Sequence, residues 1–216
     1  MRIGFVSKGG IESFTPTKKA DVVVFGFGEK KEIYYEKEWK GETSFFEEVA
    51  KSSKENANVV CHACITNTRG LRCKSAVIAQ NGRILGVSDM INAVDKEIGC
   101  GSGLRVYDTQ AGRIGVVVAE DLYFPDVMKN LAGCGSDFMI CPFGKADERV
   151  DALLRASAFF YGVPILFCGD GQSRIADADG NLAFSSDKSP VYHDFFYQAE
   201  YHLIENRRKG RFVGCT

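Results

Sequence analysis

Short runs of apolar residues, rich in Val, Ile and Phe, recur along most of the 216-residue chain. Runs of this length and composition are typical of buried or half-buried β-strands. They occupy residues 2–7, 21–27, 57–65, 74–80, 82–88, 113–119, 136–142, 163–169 and 173–178. The pattern therefore predicts that strands form much of the interior.

Other segments have apolar residues at helical spacing. They are residues 44–57, 124–135 and 148–162. The first has Ser44 and Glu47 at the spacing of a capping box. The second has Pro125 near its start, and the third stops at Gly162, as helices often do. We therefore predict helices in these three segments.

Turn signals separate many of these elements. Asn-Gly at 81–82 and Asp-Gly at 179–180 are typical of tight β-hairpins. No internal repeat, low-complexity stretch or linker interrupts the pattern. Strands that alternate with helices and hairpins predict an α+β (α/β layered) fold, with residues 1–216 as a single domain.

Composition and charge exclude several classes of partner. Lys and Arg number 27 against 28 Asp and Glu, so the formal net charge is -1. This balance gives no electrostatic basis for binding nucleic acid or an anionic membrane. The basic cluster at 207–211 is expected to be a solvated tail. No apolar run approaches the ~20 residues of a membrane span, and the N-terminus has no signal-peptide core, so we expect a cytoplasmic protein.

Eight cysteines are present, and in a reducing cytoplasm we expect free thiols. Cys61 and Cys64, with a histidine between them, have a spacing that resembles a metal-binding pair. No second pair follows at a useful distance, and period-2 alternation would place the two cysteines on opposite faces of a strand. We therefore predict no metal and no cofactor.

The order of several segments resembles the nitrilase, or carbon–nitrogen hydrolase, superfamily over nearly the whole chain. The segments that carry the resemblance are, in order, DVVVFGFGE (21–29), SAVIAQNGRILG (75–86), GRIGVVVAEDLYFP (112–125), GCGSDFMICP (133–142), RASAFFYGVPILFCGD (155–170), GQSRIADADGNLAF (171–184) and YQAEYHLIENRRKGR (197–211). The resemblance implies a four-layer α-β-β-α sandwich, in which two mixed sheets face each other and helices lie outside.

The resemblance also implies three catalytic positions. The family attacks its substrate with a cysteine thiolate, uses a glutamate as general base and stabilises the oxyanion with a lysine. Glu29 corresponds to the base, Met90 to the lysine and Ala119 to the cysteine. A methyl group cannot attack a carbonyl, and a thioether carries no charge. Because two groups differ together, natural divergence is expected rather than a single engineered change.

The family resemblance also places further residues at the pocket. They are Glu120, Asp121, Cys141, Phe143 and Cys168. Asp121 is expected to orient the turn at residue 119 by accepting backbone hydrogen bonds. Cys141 and Cys168 lie near strand ends and could supply a relocated nucleophile, although a buried structural thiol is the simpler expectation.

The leading functional hypothesis is a pseudoenzyme that binds or senses a small amide- or carboxylate-bearing molecule, with Glu29 as the polar remnant of the pocket. One alternative is an active amidohydrolase that uses one of those two cysteines or a water activated by Glu29. Another is a structural subunit whose pocket has collapsed around Met90 and Ala119. Lys96 could replace the lost lysine, but a solvated loop lysine is favoured.

Aromatic residues collect near the C-terminus, in residues 191–203. In the superfamily this end often contributes to contacts between subunits. By analogy we expect a homodimer, with no nucleic acid or membrane as a partner.

Overall fold

The computed structural model describes residues 1–29 and 31–196. One of its two sheets contains, with strands numbered in chain order, β1 (Arg2–Val6), β2 (Ala20–Phe25), β3 (Glu32–Tyr34), β4 (Ala57–Thr68), β5 (Leu71–Gln80), β6 (Arg83–Asp89) and β13 (Val191–Asp194). The strands lie in the order β13-β1-β2-β4-β5-β6, and β3 also pairs with β4. β1, β2 and β4 are parallel, whereas β4-β5 and β5-β6 are antiparallel.

The second sheet contains β7 (Val106–Thr109), β8 (Gly112–Val116), β9 (Phe138–Pro142), β10 (Ile165–Gly169), β11 (Gln172–Ala176) and β12 (Leu182–Ser186). Its order is β12-β11-β10-β9-β8-β7. The central strands β8, β9 and β10 are parallel, and the flanking pairs are antiparallel. Both sheets are therefore mixed, as the family resemblance implies.

The described residues contain few helices. They are α1 (Tyr35–Trp39), α2 (Phe45–Glu55), α3 (Pro125–Gly133) and α4 (Arg149–Tyr161), with 3-10 turns at Ile11–Ser13 and Ala119–Tyr123. The three predicted helices are α2, α3 and α4, and α1 is an addition. Within the described ranges no helix is long and apolar enough to cross a membrane.

Three apolar clusters fill the spaces between the layers. Phe45 and Val49 of α2 pack on the outer face of the first sheet. Leu131 of α3 and Leu154 of α4 pack on the outer face of the second sheet. The cluster between the two sheets includes Ile3, Val22, Val59, Ile114, Ile140 and Leu166. This arrangement confirms the predicted four-layer α-β-β-α sandwich.

The C-terminal predictions are only partly covered by the structure. The aromatic stretch expected at a dimer contact begins with β13, which pairs antiparallel with β1. Residues 197–211, which include the last family segment and the basic cluster, lie outside the described residues. The homodimer therefore stays a prediction.

The N-terminus of α2 is capped by Glu38 and not by the predicted capping box. The backbone N–H groups of Phe45 and Phe46 donate to the two carboxylate oxygens of Glu38 at 3.1 and 3.0 Å. Ser44 is the N-cap residue, but its hydroxyl donates to Glu48 Oε1 at 2.8 Å. A carboxylate at this position satisfies free N–H groups and interacts favourably with the helix dipole.

We expect Glu38→Ala to lower the free energy of unfolding by about 1 kcal/mol, the usual effect of losing a helix cap. Ser44→Ala should have less than half of that effect, because its hydroxyl bonds a side chain and not the helix backbone. Exposed Glu42→Ala is the control and should stay within about 0.5 kcal/mol of wild type. Urea denaturation measures all three. A larger loss in Ser44→Ala would contradict the assignment of the cap.

Candidate functional site

Beyond β8 the chain makes a sharp turn at Ala119. Val118 has an extended backbone, with φ −89° and ψ 116°, whereas Ala119 has φ +49° and begins a 3-10 helix. A non-glycine residue at positive φ is strained and is held there by its surroundings. The two other such residues in the described chain, Arg69 and Asn81, lie in tight hairpins. The turn at Ala119 has no hairpin to explain it, and we call residues 117–121 the elbow.

Asp121 fastens the elbow to the segment that follows β6. The backbone N–H groups of Ile91 and Asn92 donate to its two oxygens at 2.9 Å, and Asn92 Nδ2 donates at 2.9 Å as well. The side chain is 1% exposed. Burial raises the pKa of the Asp121 carboxyl, and the three donors act against that rise. These contacts are the ones that an elbow-orienting role for Asp121 requires.

Met90 and Ala119, which are predicted to stand at the family's lysine and cysteine positions, lie in the same layer of the fold. Met90 is 0% exposed and Ala119 is 1% exposed, and both belong to the apolar cluster between the sheets. The backbone N–H of Met90 donates to the carbonyl of Lys74 at 2.8 Å. The carbonyl of Met90 accepts from the backbone N–H of Gly101, also at 2.8 Å. Neither side chain carries a nucleophile or a charge.

An ion pair between Lys74 of β5 and Glu120 of the elbow lies beside these two residues. Lys74 Nζ is 2.5 Å from Glu120 Oε1, and the two side chains are 23% and 24% exposed. The other carboxylate oxygen of Glu120, Oε2, is buried and has no hydrogen-bond partner among the described residues. The pair therefore places partly solvent-accessible charge directly next to buried Ala119.

Glu120 is a site residue predicted from the sequence, whereas Lys74 is not. Lys74 pairs with Ile65 of β4, and strand alternation puts it on the same face as Ala76 and Ile78. Ile65, Ala76 and Ile78 belong to the apolar cluster between the sheets. A lysine on an otherwise apolar strand face is therefore the sequence feature that could have indicated Lys74 as a site residue. Lys96, the replacement cation considered from sequence, is exposed in the loop between β6 and β7.

Glu29, the expected general base, is exposed just beyond β2. Its carboxylate lies against Gly10, where an added Cβ would be 1.8 Å from Glu29 Oε2. The nearby N–H of Phe27 donates to the carbonyl of Phe143 at 3.0 Å and so ties this segment to the second sheet. Within residues 1–29 and 31–196, no hydrogen bond or ion pair joins Glu29 to the elbow. Its role as a site residue stays a prediction.

Cys141 and Cys168 are both buried, but they face different layers. Cys168 shares the inter-sheet cluster with Ala119, whereas Cys141 belongs to the cluster beneath α3 and α4, where Phe143 also packs. Burial raises the pKa of the Cys168 thiol to about 12 and that of Cys141 well above its usual range. Because the thiolate is the reactive form, this burial disfavours either cysteine as a relocated nucleophile.

The cysteine pair on β4 is divided between two layers. Cys61 lies in the inter-sheet cluster and Cys64 in the cluster beneath α2. His62 stacks on Phe25, with ring centroids 4.5 Å apart. No group of three or more His, Cys, Asp or Glu side chains among the described residues is arranged to hold a metal ion.

Two facing mixed sheets between helical layers, with a strained elbow after a parallel strand, define the architecture of the nitrilase fold. The sequence profile of the carbon–nitrogen hydrolase family matches residues 21–190, and the chain belongs to this family. Comparison with curated protein sequences gives no match.

Solved structures of the nitrilase superfamily share this fold. Nit3 of Saccharomyces cerevisiae, a member of branch 10 of the superfamily, aligns with a TM-score of 0.74 at 14% identity, covering 100% of this chain and 95% of that chain. A Cys-to-Ala mutant of the Nesterenkonia AN1 amidase aligns with 0.71 at 15% identity, covering 89% and 88%. The complex of such a mutant with butyramide aligns with 0.68 at 15% identity and the same coverage. At these identities the likeness establishes the fold.

Proposed function

We propose that this carbon–nitrogen hydrolase family member binds a small amide- or carboxylate-bearing molecule at the elbow and does not hydrolyse it. The observation that carries the proposal is the backbone of Ala119, which keeps a strained conformation although its side chain is a methyl group. Strain of this kind persists only where the surroundings enforce it, and it collects at functional sites. Asp121 supplies that enforcement here.

The missing reactive groups support binding without turnover. Ala119 has no lone pair with which to attack a carbonyl carbon, and Met90 has no charge with which to hold an oxyanion. In a comparable hydrolase, removing the nucleophile costs about six orders of magnitude in turnover. Glu120 of the elbow and Lys74 beside it are polar groups that a ligand could contact.

One solved relative supports the proposal that the chain binds an amide without hydrolysing it. The butyramide complex of the Nesterenkonia amidase was obtained with a mutant in which a cysteine is replaced by alanine. That protein therefore holds an amide after losing a thiol. An alanine at residue 119 is compatible with amide binding in this chain.

We expect butyramide to raise the melting temperature of the chain without release of ammonia. At ten times its Kd, a ligand that binds only the folded state adds about 1.4 kcal/mol of stability, which corresponds to roughly 3–6 °C for a domain of this size. Thermal melts over a butyramide titration, with a parallel ammonia assay, measure both quantities. 1-Butanol, which has the same chain length and no amide, is the control and should leave the melting temperature unchanged.

Two results would contradict the proposal in different ways. Release of ammonia that Glu29→Gln abolishes would identify an active amidohydrolase that uses a water or a relocated thiol. Unchanged melting temperatures across a panel of amides, ureido acids and carboxylates would exclude binding at the elbow.

The second candidate function is a structural or interaction subunit with a filled pocket. The complete burial of Met90 and Ala119 in the inter-sheet cluster favours it. It differs from the first candidate in predicting no ligand response while the fold stays intact. The thermal titration therefore separates the two.

A further inference from the structure

A cavity of about 370 Å³ opens between α1 and the N-terminal end of α2. Its lining comes from these two helices and from the loop that joins them, residues 40–44. Because α2 packs on the outer face of the first sheet, the cavity lies outside the space between the sheets that contains Ala119 and Met90. Its volume is within the roughly 300–1,000 Å³ range of small-ligand sites. It is therefore a candidate binding site separate from the elbow.

Three aromatic side chains line this cavity, those of Tyr35, Trp39 and Phe46. The ring centroids of Tyr35 and Phe46 are 5.5 Å apart, and the rings are tilted by 36°. Trp39, the only tryptophan of the chain, is 93% exposed, although tryptophan is highly buried on average. The indole ring is therefore accessible to a ligand that enters the cavity.

The charged side chains of the lining, Glu38 and Glu47, are both acidic. No lysine or arginine of the described chain lines the cavity. Lys37 of α1 lies instead over the ring of Tyr34, with Nζ 5.1 Å from the ring centroid. The N-terminus of α2, which could attract an anion, is already occupied by the carboxylate of Glu38. The cavity is therefore complementary in charge to a cation.

We propose that this cavity binds a small quaternary ammonium cation. The faces of aromatic rings attract cations, and tryptophan does so most strongly. A quaternary ammonium has no N–H groups, so it needs ring faces and nearby negative charge but no hydrogen-bond acceptor. A primary ammonium has three donors to satisfy, whereas each oxygen of Glu38 already accepts a hydrogen bond from the backbone of α2. The inference does not rest on the proposed function, because no lining residue belongs to the elbow.

Choline, ethanolamine and 3,3-dimethyl-1-butanol form a matched set of probes. Ethanolamine has a primary ammonium in place of the quaternary one, and 3,3-dimethyl-1-butanol has a neutral carbon of the same shape. Because the chain has a single tryptophan, the fluorescence of Trp39 reports on this cavity directly. At pH 7 and constant ionic strength, choline should change this emission saturably. It should also bind at least threefold more tightly than either of the other two probes.

Substitutions at two lining residues locate the bound cation. Trp39→Leu and Glu47→Gln should each weaken choline binding at least threefold, the scale of one cation–π contact or one ionic contact at an exposed place. Titrations that follow the NMR signal of the choline methyl groups measure all variants, including the one without tryptophan. Glu55→Gln is the matched control, because Glu55 is an exposed glutamate at the other end of α2. It should bind choline as wild type does, and circular dichroism establishes that each variant is folded.

Several results would overturn the inference. Wild-type protein that binds ethanolamine or 3,3-dimethyl-1-butanol as tightly as choline does not select a quaternary cation. Emission of Trp39 that does not respond to choline, or choline binding that both lining variants leave unchanged, excludes this cavity as the site. Binding to phosphatidylcholine vesicles without binding to free choline would assign the cavity to a membrane surface and not to a small ligand. None of these results bears on the binding of butyramide at the elbow.

Discussion

We expect Asp121→Ala to lower the free energy of unfolding by about 3–5 kcal/mol, the usual cost of removing one partner from a buried, hydrogen-bonded charge. Three donors, two of them backbone N–H groups, would lose their acceptor, a carboxylate that is itself 1% exposed. The strain at Ala119 would then also lose its main support. Urea denaturation of wild type and variant measures the difference.

Asp126→Ala provides the matched control, because Asp126 is exposed in the first turn of α3. It should cost less than about 1 kcal/mol, the scale of a charge at a helix N-terminus. Asp121→Asn should fall between the two, since an amide keeps one acceptor oxygen. A loss below 1 kcal/mol for Asp121→Ala would show that the elbow is held by other contacts.

A second large effect is expected from pH, through His62 on β4. His62 is 2% exposed, stacks on Phe25 and meets Phe45 edge-on with centroids 5.0 Å apart. Its Nδ1 pairs with the carbonyl of Ala63 at 2.8 Å, and its Nε2 is buried without a partner in the part of the chain that the structure describes. Burial lowers the pKa of His62 to about 4, because it penalises the imidazolium form.

The sign of the pH effect follows from this lowered pKa. Above about pH 6.5, the pKa of histidine in an unfolded chain, His62 is neutral in both states and costs nothing. Between about pH 6.5 and pH 4 the unfolded chain binds a proton that the folded chain does not, so stability falls as the pH falls. From pH 6.5 to pH 5 the loss is about 2 kcal/mol, at 1.36 kcal/mol per pKa unit.

We expect His62→Phe to remove this part of the pH dependence while keeping a ring between the two phenylalanines. Stability is measured by urea denaturation at several pH values between 5 and 7.5, and each variant is compared with itself, so a constant packing cost cancels. His193→Phe, at a half-buried histidine on β13, is the control and should keep the wild-type slope. Equal slopes for wild type and His62→Phe would refute the assignment.

Much of the architecture follows from the local pattern of apolar, polar and turn-forming residues along the chain. The alternation of Cys61 and Cys64 between opposite faces is a property of an extended chain and could be predicted without tertiary structure. The same holds for the turn at Asn81, whose positive φ matches its hairpin signal. The resemblance to a known family then supplied the arrangement of the layers.

The residue pattern does not predict contacts between segments that are distant in the sequence. Glu38 caps α2 from a different helix, so no residue spacing within α2 could indicate it. Lys74 meets Glu120 because the two sheets pack face to face. The sequence around either residue alone does not specify how the sheets pack. Sequence could show that Lys74 stands on an apolar face, but its partner depends on tertiary packing.

A structure of the chain with butyramide tests the central claim most directly. The account predicts an intact amide at the elbow above Ala119, beside the ion pair of Lys74 and Glu120. An elbow filled by protein atoms, a butyryl group attached to a cysteine, or butyramide bound only elsewhere on the molecule would contradict it.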